Sequence, residues 1–103
     1  MSFAYTVHAV FDEQAVADEW AAWLRNGHFA DVMAGGAHGA ELVQRAPLEL
    51  EARYWFADAA AFTKYEQQSA PKLRAEGLAK FPASRGVRMS RSLGEVLFHL
   101  PLR

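Results

Sequence analysis

The segment Phe3–Phe11 constrains the fold of this chain most strongly, because it has no charged side chain and is rich in β-branched and aromatic residues. Alternate residues of a strand point to opposite faces. The odd-numbered residues form one apolar face, and only Thr6 and His8 give the even-numbered face any polarity. The pattern therefore predicts a strand that is buried, or nearly so, on both sides.

A helical pattern follows this strand. Between residues 13 and 25, apolar side chains recur at helical spacing and form one heavy stripe of Val16, Trp20, Trp23 and Leu24. Asp12 is predicted to cap this helix, and Asn26-Gly27 to end it. His28–Ala34 is predicted to form a short second helix that stops at Gly35-Gly36.

The rest of the chain predicts three more strands and a second long helix. The strands are Ala37–Ala46, Leu50–Ala57 and Gly86–Leu93. Pro47-Leu48-Glu49 makes a hairpin connection. Asp58 caps a helix that continues through Pro71, since proline is tolerated in a first helical turn, and Phe81-Pro82 stops it. The last apolar run, Val96–Leu100, either extends the fourth strand or forms a separate edge strand.

The order of these elements is strand, helix, strand, strand, helix, strand. It predicts an α+β, ferredoxin-like βαββαβ fold, in which a four-stranded antiparallel sheet carries its helices on one face. A chain of 103 residues has enough side chains for one core and too few for two, so a single domain over residues 1–103 is expected.

The sheet face without helices predicts a homodimer. In a monomer that face should be polar, yet the first and third strands keep aromatic or aliphatic side chains on both sides. Each large apolar side chain left in water forfeits about 1.5–3 kcal/mol, so roughly four or five would rival the stability of a domain. A second copy across a two-fold axis would cover the face and give a dimeric α/β barrel. The alternative is that the run from Val96 and the helix at His28 fold over it.

Composition excludes several classes of protein and site. The absence of cysteine excludes disulfides, iron–sulfur clusters, thiolate zinc sites and a cysteine nucleophile. A net charge of −1 argues against a general nucleic-acid or membrane binder. No apolar run is long enough to span a membrane and no signal peptide is recognised, so a cytoplasmic location is expected. An RNA-recognition motif is disfavoured because Arg53-Tyr54-Trp55-Phe56 lacks the glycines of that motif.

Several short motifs together resemble the DUF4286 family, small bacterial proteins of unknown function. They are Glu19-Trp20, Trp23-Leu24, His28-Phe29-Ala30-Asp31-Val32-Met33, Tyr65, Ala70-Pro71-Lys72-Leu73-Arg74, Phe81 and Arg91. The resemblance covers nearly the whole chain and implies a fold like that of the dimeric α/β-barrel superfamily, but it brings no activity. One departure is Ser69, where histidine is common in the family, so no role of that histidine carries over.

His28 is the candidate catalytic residue. At the mouth of an apolar cleft its imidazole would act as a general base or ligand anchor near neutral pH, and the alternative is a structural bond to the backbone. The candidate ligand-binding residues are His8, Trp20, Trp23, Arg53, Tyr54 and Arg91. The alternative for the aromatic residues is that they only pack in the hydrophobic core. The arginines would hold an anionic group of the ligand. No metal site is expected, because the histidines lack metal-ligand spacing.

Three functions remain open from the sequence. The first is a homodimer that binds a small, partly aromatic ligand in a cleft of each protomer and needs no cofactor. The second is a cofactor-independent oxygenase, isomerase or dehydratase of the dimeric α/β-barrel kind, with His28 as acid and base. The third is a structural or regulatory dimer without a ligand site, which a solidly packed interior would favour.

Overall fold

Four antiparallel strands form one sheet in the computed structural model, which describes residues 2–100. The strands are β1 (Phe3–Phe11), β2 (Gly39–Ala46), β3 (Glu49–Phe56) and β4 (Val87–Glu95). The helices are α1 (Gln14–Trp23), α2 (Phe29–Ala34), α3 (Ala59–Gln68) and α4 (Ala70–Lys80). The strand order is β2-β3-β1-β4. The predicted ferredoxin-like fold is confirmed.

The core lies between the sheet and the helices. Tyr5 of β1 pairs with Tyr54 of β3 and Leu93 of β4, which fixes the residues that share the helix-covered face. From the two central strands, the buried residues on this face are Tyr5, Ala9, Phe11, Leu50, Ala52, Tyr54 and Phe56. From α3, Phe62 and Tyr65 are buried against them, and the ring centroids of Phe62 and Tyr5 are 5.1 Å apart.

A kinked turn, Leu24–His28, joins α1 to α2, and Asn26 and Gly27 within it have non-helical backbone angles. Gly27 in this turn has φ +152°, a conformation that favours glycine, so the predicted end of the first helix at Asn26-Gly27 is confirmed. The predicted cap is wrong. Glu13 occupies the N-cap without a side-chain hydrogen bond. Asp12 lies one residue earlier, where its Oδ1 accepts a hydrogen bond from Arg88 at 2.9 Å.

The helices α3 and α4 and the strand β4 lie close to their predicted positions. The Ala61 N–H donates to Asp58 Oδ1 at 2.8 Å, and Pro71 lies in the first turn of α4. The fourth strand extends to Glu95, two residues beyond its predicted end. Beyond it, the Val96 N–H donates to the Ser2 carbonyl at 2.8 Å, but residues 96–100 form no strand, so both predictions for the run Val96–Leu100 are wrong.

The sheet face without helices, here called the open face, is more polar than predicted. Its polar residues are Thr6, His8, Glu41, Glu49, Glu51, Arg53, Arg88, Ser90 and Ser92. Its larger apolar residues are Val10, Val43 and Trp55, and each is half-buried. Val10 and Trp55 confirm that β1 and β3 keep apolar side chains on this face. The face as a whole is mixed, because charged residues of β3 lie beside Trp55 and the two edge strands add mostly polar residues.

Neither segment predicted as an alternative cover lies over the open face. The turn at His28 packs on the helix side of the sheet, where the imidazole stacks on Trp23. Leu97 and Phe98 after β4 are 78% and 81% exposed. Within residues 2–100, the open face of a single protomer is therefore covered by nothing but its own side chains.

Candidate functional site

A cavity of about 200 Å³ lies between the helices and the sheet. Its floor is formed by side chains of β1, β3 and β4, namely Tyr5, Val7, Tyr54, Met89 and Arg91. Its walls come from the helices and from the turn Leu24–His28. The wall residues are Trp20, Trp23, Leu24, His28, Tyr65, Ala70, Leu73, Arg74, Gly77 and Leu78. Most of this lining is aromatic or aliphatic, and the polar groups are few, which is the composition of a small-molecule pocket.

Trp23 is the central aromatic wall of the cavity. Its ring stacks on the imidazole of His28 with centroids 4.1 Å apart and planes at 23°. On α4, a Cβ added at Gly77 would lie 3.2 Å from Trp23 Cη2. Glycine at this position therefore leaves the indole room to lie against the helix backbone.

His28 lines the cavity and also holds a buried polar atom without a partner among the described residues. Within residues 2–100, its Nδ1 is the buried side-chain polar atom that has no hydrogen-bond partner. Burial lowers the pKa of His28 from its ordinary value of 6.5, against the opposing charges of Asp31 and Glu76. The imidazole is therefore neutral at physiological pH and can accept a hydrogen bond or a proton.

Three tyrosines add hydroxyl groups to the lining. Tyr5 stacks on Tyr54 with ring centroids 5.5 Å apart and lies 6.3 Å from Tyr65. Burial raises the pKa of Tyr54 and of Tyr65 well above the ordinary value, so both phenols stay protonated. Protonated phenols can donate hydrogen bonds to a bound molecule.

Two guanidinium groups border the cavity beside Tyr5. Arg74 of α4 and Arg91 of β4 donate to the same carboxylate oxygen, Glu66 Oε2, at 2.8 and 3.1 Å. The Arg91 Cζ lies 5.6 Å from the centroid of the Tyr5 ring. Hydrogen bonding with Tyr5 and the charge of Glu66 raise the pKa of Arg91, against the cost of burial. One carboxylate thus pairs with two guanidiniums, which leaves one net positive charge.

Five of the predicted site residues meet in the cavity, and two do not. Trp20, Trp23, His28, Tyr54 and Arg91 all belong to its lining. His8 and Arg53 lie on the open face, on the other side of the sheet. Arg53 is neighbour to Tyr54 along one strand, so the two side chains cannot both point to the cavity.

Arg53 instead takes part in a chain of charges across the open face. It donates to Glu51 Oε1 at 3.0 Å and to Glu41 Oε2 at 3.3 Å, while Arg45 donates to Glu51 Oε2 at 2.8 Å. Glu51 is 7% exposed; burial alone would raise its pKa, but the hydrogen bonds from the two arginines outweigh burial and lower it.

Sequence reasoning missed Tyr5, Tyr65 and Arg74 as lining residues. Tyr65 and Arg74 were visible as family motif positions, but the tyrosine lies on α3 and the arginine on α4, and only the packing of these helices brings them together. Within residues 2–100, no three His, Asp or Glu side chains are grouped as metal ligands. In the same part of the chain, no helix has the length and apolar character needed to cross a membrane.

The fold and cavity define an α+β ferredoxin-like protein with a pocket between its helices and its sheet. The family model for the domain of unknown function DUF4286 matches residues 2–95, so the chain belongs to that family and the resemblance seen in its motifs is confirmed. No curated protein matches the chain.

Solved structures share the fold at low sequence identity. A dimeric ferredoxin-like protein from an uncultured marine organism has a TM-score of 0.73 at 9% identity, with 99% of this chain and 100% of that chain covered. A variant of SnoaB, a cofactor-independent oxygenase from Streptomyces nogalater, has a TM-score of 0.71 at 15% identity, with 98% of each chain covered. An uncharacterized NIPSNAP-like domain protein from Burkholderia xenovorans has a TM-score of 0.59 at 17% identity, covering 98% of this chain and 91% of that one. Identities this low establish a common fold and carry no function with them.

Proposed function

We propose that this protein is a homodimer that binds a small, partly aromatic ligand in the cavity of each protomer. The observation that carries the proposal is the cavity itself, whose aromatic lining combines with a few polar groups. Apolar cavities of about 150 Å³ hold benzene, so about 200 Å³ suits a single substituted ring. Contact of its ring with Trp23 and Tyr5 and a hydrogen bond from a ring hydroxyl to the imidazole of His28 would fix its orientation.

Saturation-transfer NMR with phenol, catechol and 4-hydroxybenzoate tests ligand binding. Leu78 lines the cavity and is 55% exposed, so Leu78→Trp narrows the entrance with little disturbance of the core. Leu97→Trp makes the same change on an exposed residue outside the lining and serves as the matched control. We expect saturation transfer that falls at least severalfold in Leu78→Trp and stays at the wild-type level in Leu97→Trp. Equal signals from all three proteins, or none, would reject a ligand site in this cavity.

The homodimer part of the proposal places the two-fold contact at the open face. Its support is the fold shared with dimeric ferredoxin-like proteins and the arrangement of charge on the face. Carboxylates and guanidiniums alternate from Glu41 through Arg53 and Glu51 to Arg45. A surface that carries both signs of charge can be complementary to a copy of itself across a two-fold axis.

A second candidate function is a cofactor-independent oxygenase, isomerase or dehydratase with His28 as acid and base. The observation that favours it is that His28 lines the cavity and that burial lowers its pKa, so its neutral imidazole can take the proton of a phenolic hydroxyl. A cavity of this size also speaks against a structural or regulatory dimer with a solid interior.

Oxygen uptake or product formation with small hydroquinones separates an enzyme from a binding protein. If His28 is the base, His28→Phe should lower turnover by about 10²-fold or more, while ring stacking on Trp23 is preserved. His38→Phe, the same change at an exposed loop histidine, should leave turnover intact. Turnover that survives in His28→Phe removes this residue from the mechanism, and a wild-type protein that binds the compounds without turnover is a binding protein for them.

A further inference from the structure

We propose that the end of the cavity formed by Arg74 and Arg91, here called the arginine end, binds the carboxylate of a small aromatic acid. This inference rests on the proposed ligand-binding function and names the chemical class of the ligand. The observation is the convergence of Arg74 and Arg91 on one oxygen of Glu66 at the border of an aromatic cavity. A guanidinium has five N–H donors in a planar fork that matches a carboxylate. The hydrogen bonds to Glu66 use one N–H of each arginine. Tyr5 is a further partner of both guanidiniums, and the remaining N–H groups are available to a second carboxylate.

The charge at this end selects a monoanion. Two guanidiniums and one carboxylate leave one net positive charge, which a ligand carboxylate neutralises and a phosphate dianion exceeds. Side chains of Arg74 and Arg91 are about two-fifths exposed, at 42% and 41%, so an anion can approach from solvent while its ring enters the cavity. The protonated phenols of Tyr54 and Tyr65 lie among the lining residues as further donors.

Glu66 acts as an internal competitor in this arrangement. Its carboxylate holds the guanidiniums in place when the cavity is empty, and it shares them with the ligand when the cavity is filled. Removing its charge should therefore strengthen the binding of an aromatic acid. A purely structural ion pair predicts the opposite, because loss of the pair would loosen the arginines and weaken binding.

Titration calorimetry with 4-hydroxybenzoate and its neutral isostere 4-hydroxybenzamide tests the inference. Charge-assisted hydrogen bonds contribute more than neutral ones, so we expect the acid to bind at least about tenfold more tightly than the amide. Arg91→Gln and Arg74→Gln should each reduce that preference several-fold, because each lowers the affinity for the acid more than the affinity for the amide. Lys72→Gln, which removes a positive charge from the exposed side of the same helix as Arg74, is the matched control and should keep the preference. Glu66→Gln should raise the affinity for the acid.

Each other outcome has a distinct meaning. Equal binding of acid and amide, unchanged in the arginine variants, overturns the carboxylate inference and leaves the proposed ligand site standing. Absence of binding by both compounds, with folded protein confirmed by circular dichroism, counts against the proposed function itself. Phenyl phosphate that binds more tightly than 4-hydroxybenzoate overturns the choice of a monoanion. Weaker binding of the acid to Glu66→Gln would mean that Glu66 holds the arginines in place for the ligand. It would contradict the inference that Glu66 competes with the ligand carboxylate for them.

Discussion

The environment of His28 shows how a single residue acquires a chemical property that its sequence position does not reveal. The imidazole is removed from water by its stack on Trp23, and its Nδ1 has no protein partner within residues 2–100. Burial therefore favours the uncharged form. The same burial makes the stability of the protein depend on pH.

His28 should destabilise the folded protein in mildly acidic solution. Its pKa is lowered in the folded chain from the ordinary value of 6.5, so the unfolded chain binds the proton first as the pH falls. The neutral imidazole makes its full contribution to the free energy of unfolding above about pH 6.5. That contribution is lost as the pH drops below this value. His28→Phe keeps an aromatic ring against Trp23 and cannot be protonated, so it should lose less stability than the wild type between pH 7 and pH 5.

Urea unfolding at both pH values measures this difference, and His38→Phe controls for the loss of a histidine at an exposed position. The account is contradicted if wild type and His28→Phe lose equal stability, or if the wild type gains stability relative to the variant on acidification.

The positions of the arginines show what sequence could and could not predict at this scale. Arg91 pairs with Val7 and Arg53 with Thr6, so they belong to opposite faces of the sheet. Strand alternation already separates Arg53 from Tyr54, since neighbours on a strand point apart. The sequence could not predict that Arg91 and Arg74 bind the same carboxylate, because this depends on how α4 packs against the sheet.

Among the elements, the kinked turn Leu24–His28 has the largest consequence for the site. It redirects the chain between α1 and α2 and carries His28 back against Trp23. Gly27 makes the turn possible, since its φ of +152° lies in a region that side chains with a Cβ rarely adopt.

Gly27→Ala should therefore lower the free energy of unfolding by about 1–3 kcal/mol, because the cost is backbone strain. A Cβ at Gly27 meets no atom within 4 Å, so steric contact is not the cause. Gly94→Ala in β4 provides the matched control, since its Cβ would also meet nothing and its backbone needs no positive φ. Chemical denaturation that gives equal stabilities for the two variants would show that the turn is not strained by a side chain.

The elements themselves were predictable because their signals are local. The apolar alternation of β1, the Asp58 cap and the proline in the first turn of α4 all lie within a few residues of the structure they specify. The polarity of the open face is a property of four strands together. Two of them, β2 and β4, contribute Glu41, Arg88, Ser90 and Ser92, and reasoning from β1 and β3 alone overestimated its apolar character.

At the scale of the whole molecule, the proposed assembly is a dimer that joins two copies through the open face. A dimer built on this face depends on charge complementarity and on half-buried side chains such as Trp55, rather than on a large apolar patch. We expect light scattering at micromolar concentration to give the mass of two chains. We also expect dissociation at raised salt, since surface ion pairs are screened.

Thr6→Arg places a bulky positive charge between Arg53 and Ser92 on this face and should give a monomer. Thr63→Arg makes the same change on the exposed side of α3 and should leave the dimer intact. A wild-type monomer would contradict the dimer, and a dimer that both variants preserve would place the contact on another surface.

The central claim is that the space between helices and sheet is a ligand site, and a crystal structure of the protein with 4-hydroxybenzoate tests it most directly. The account predicts density for a ring in the cavity beside Trp23, with its carboxylate within hydrogen-bond distance of Arg74 and Arg91. Density for water alone in that space at saturating ligand, or a ring bound on the open face, would contradict it.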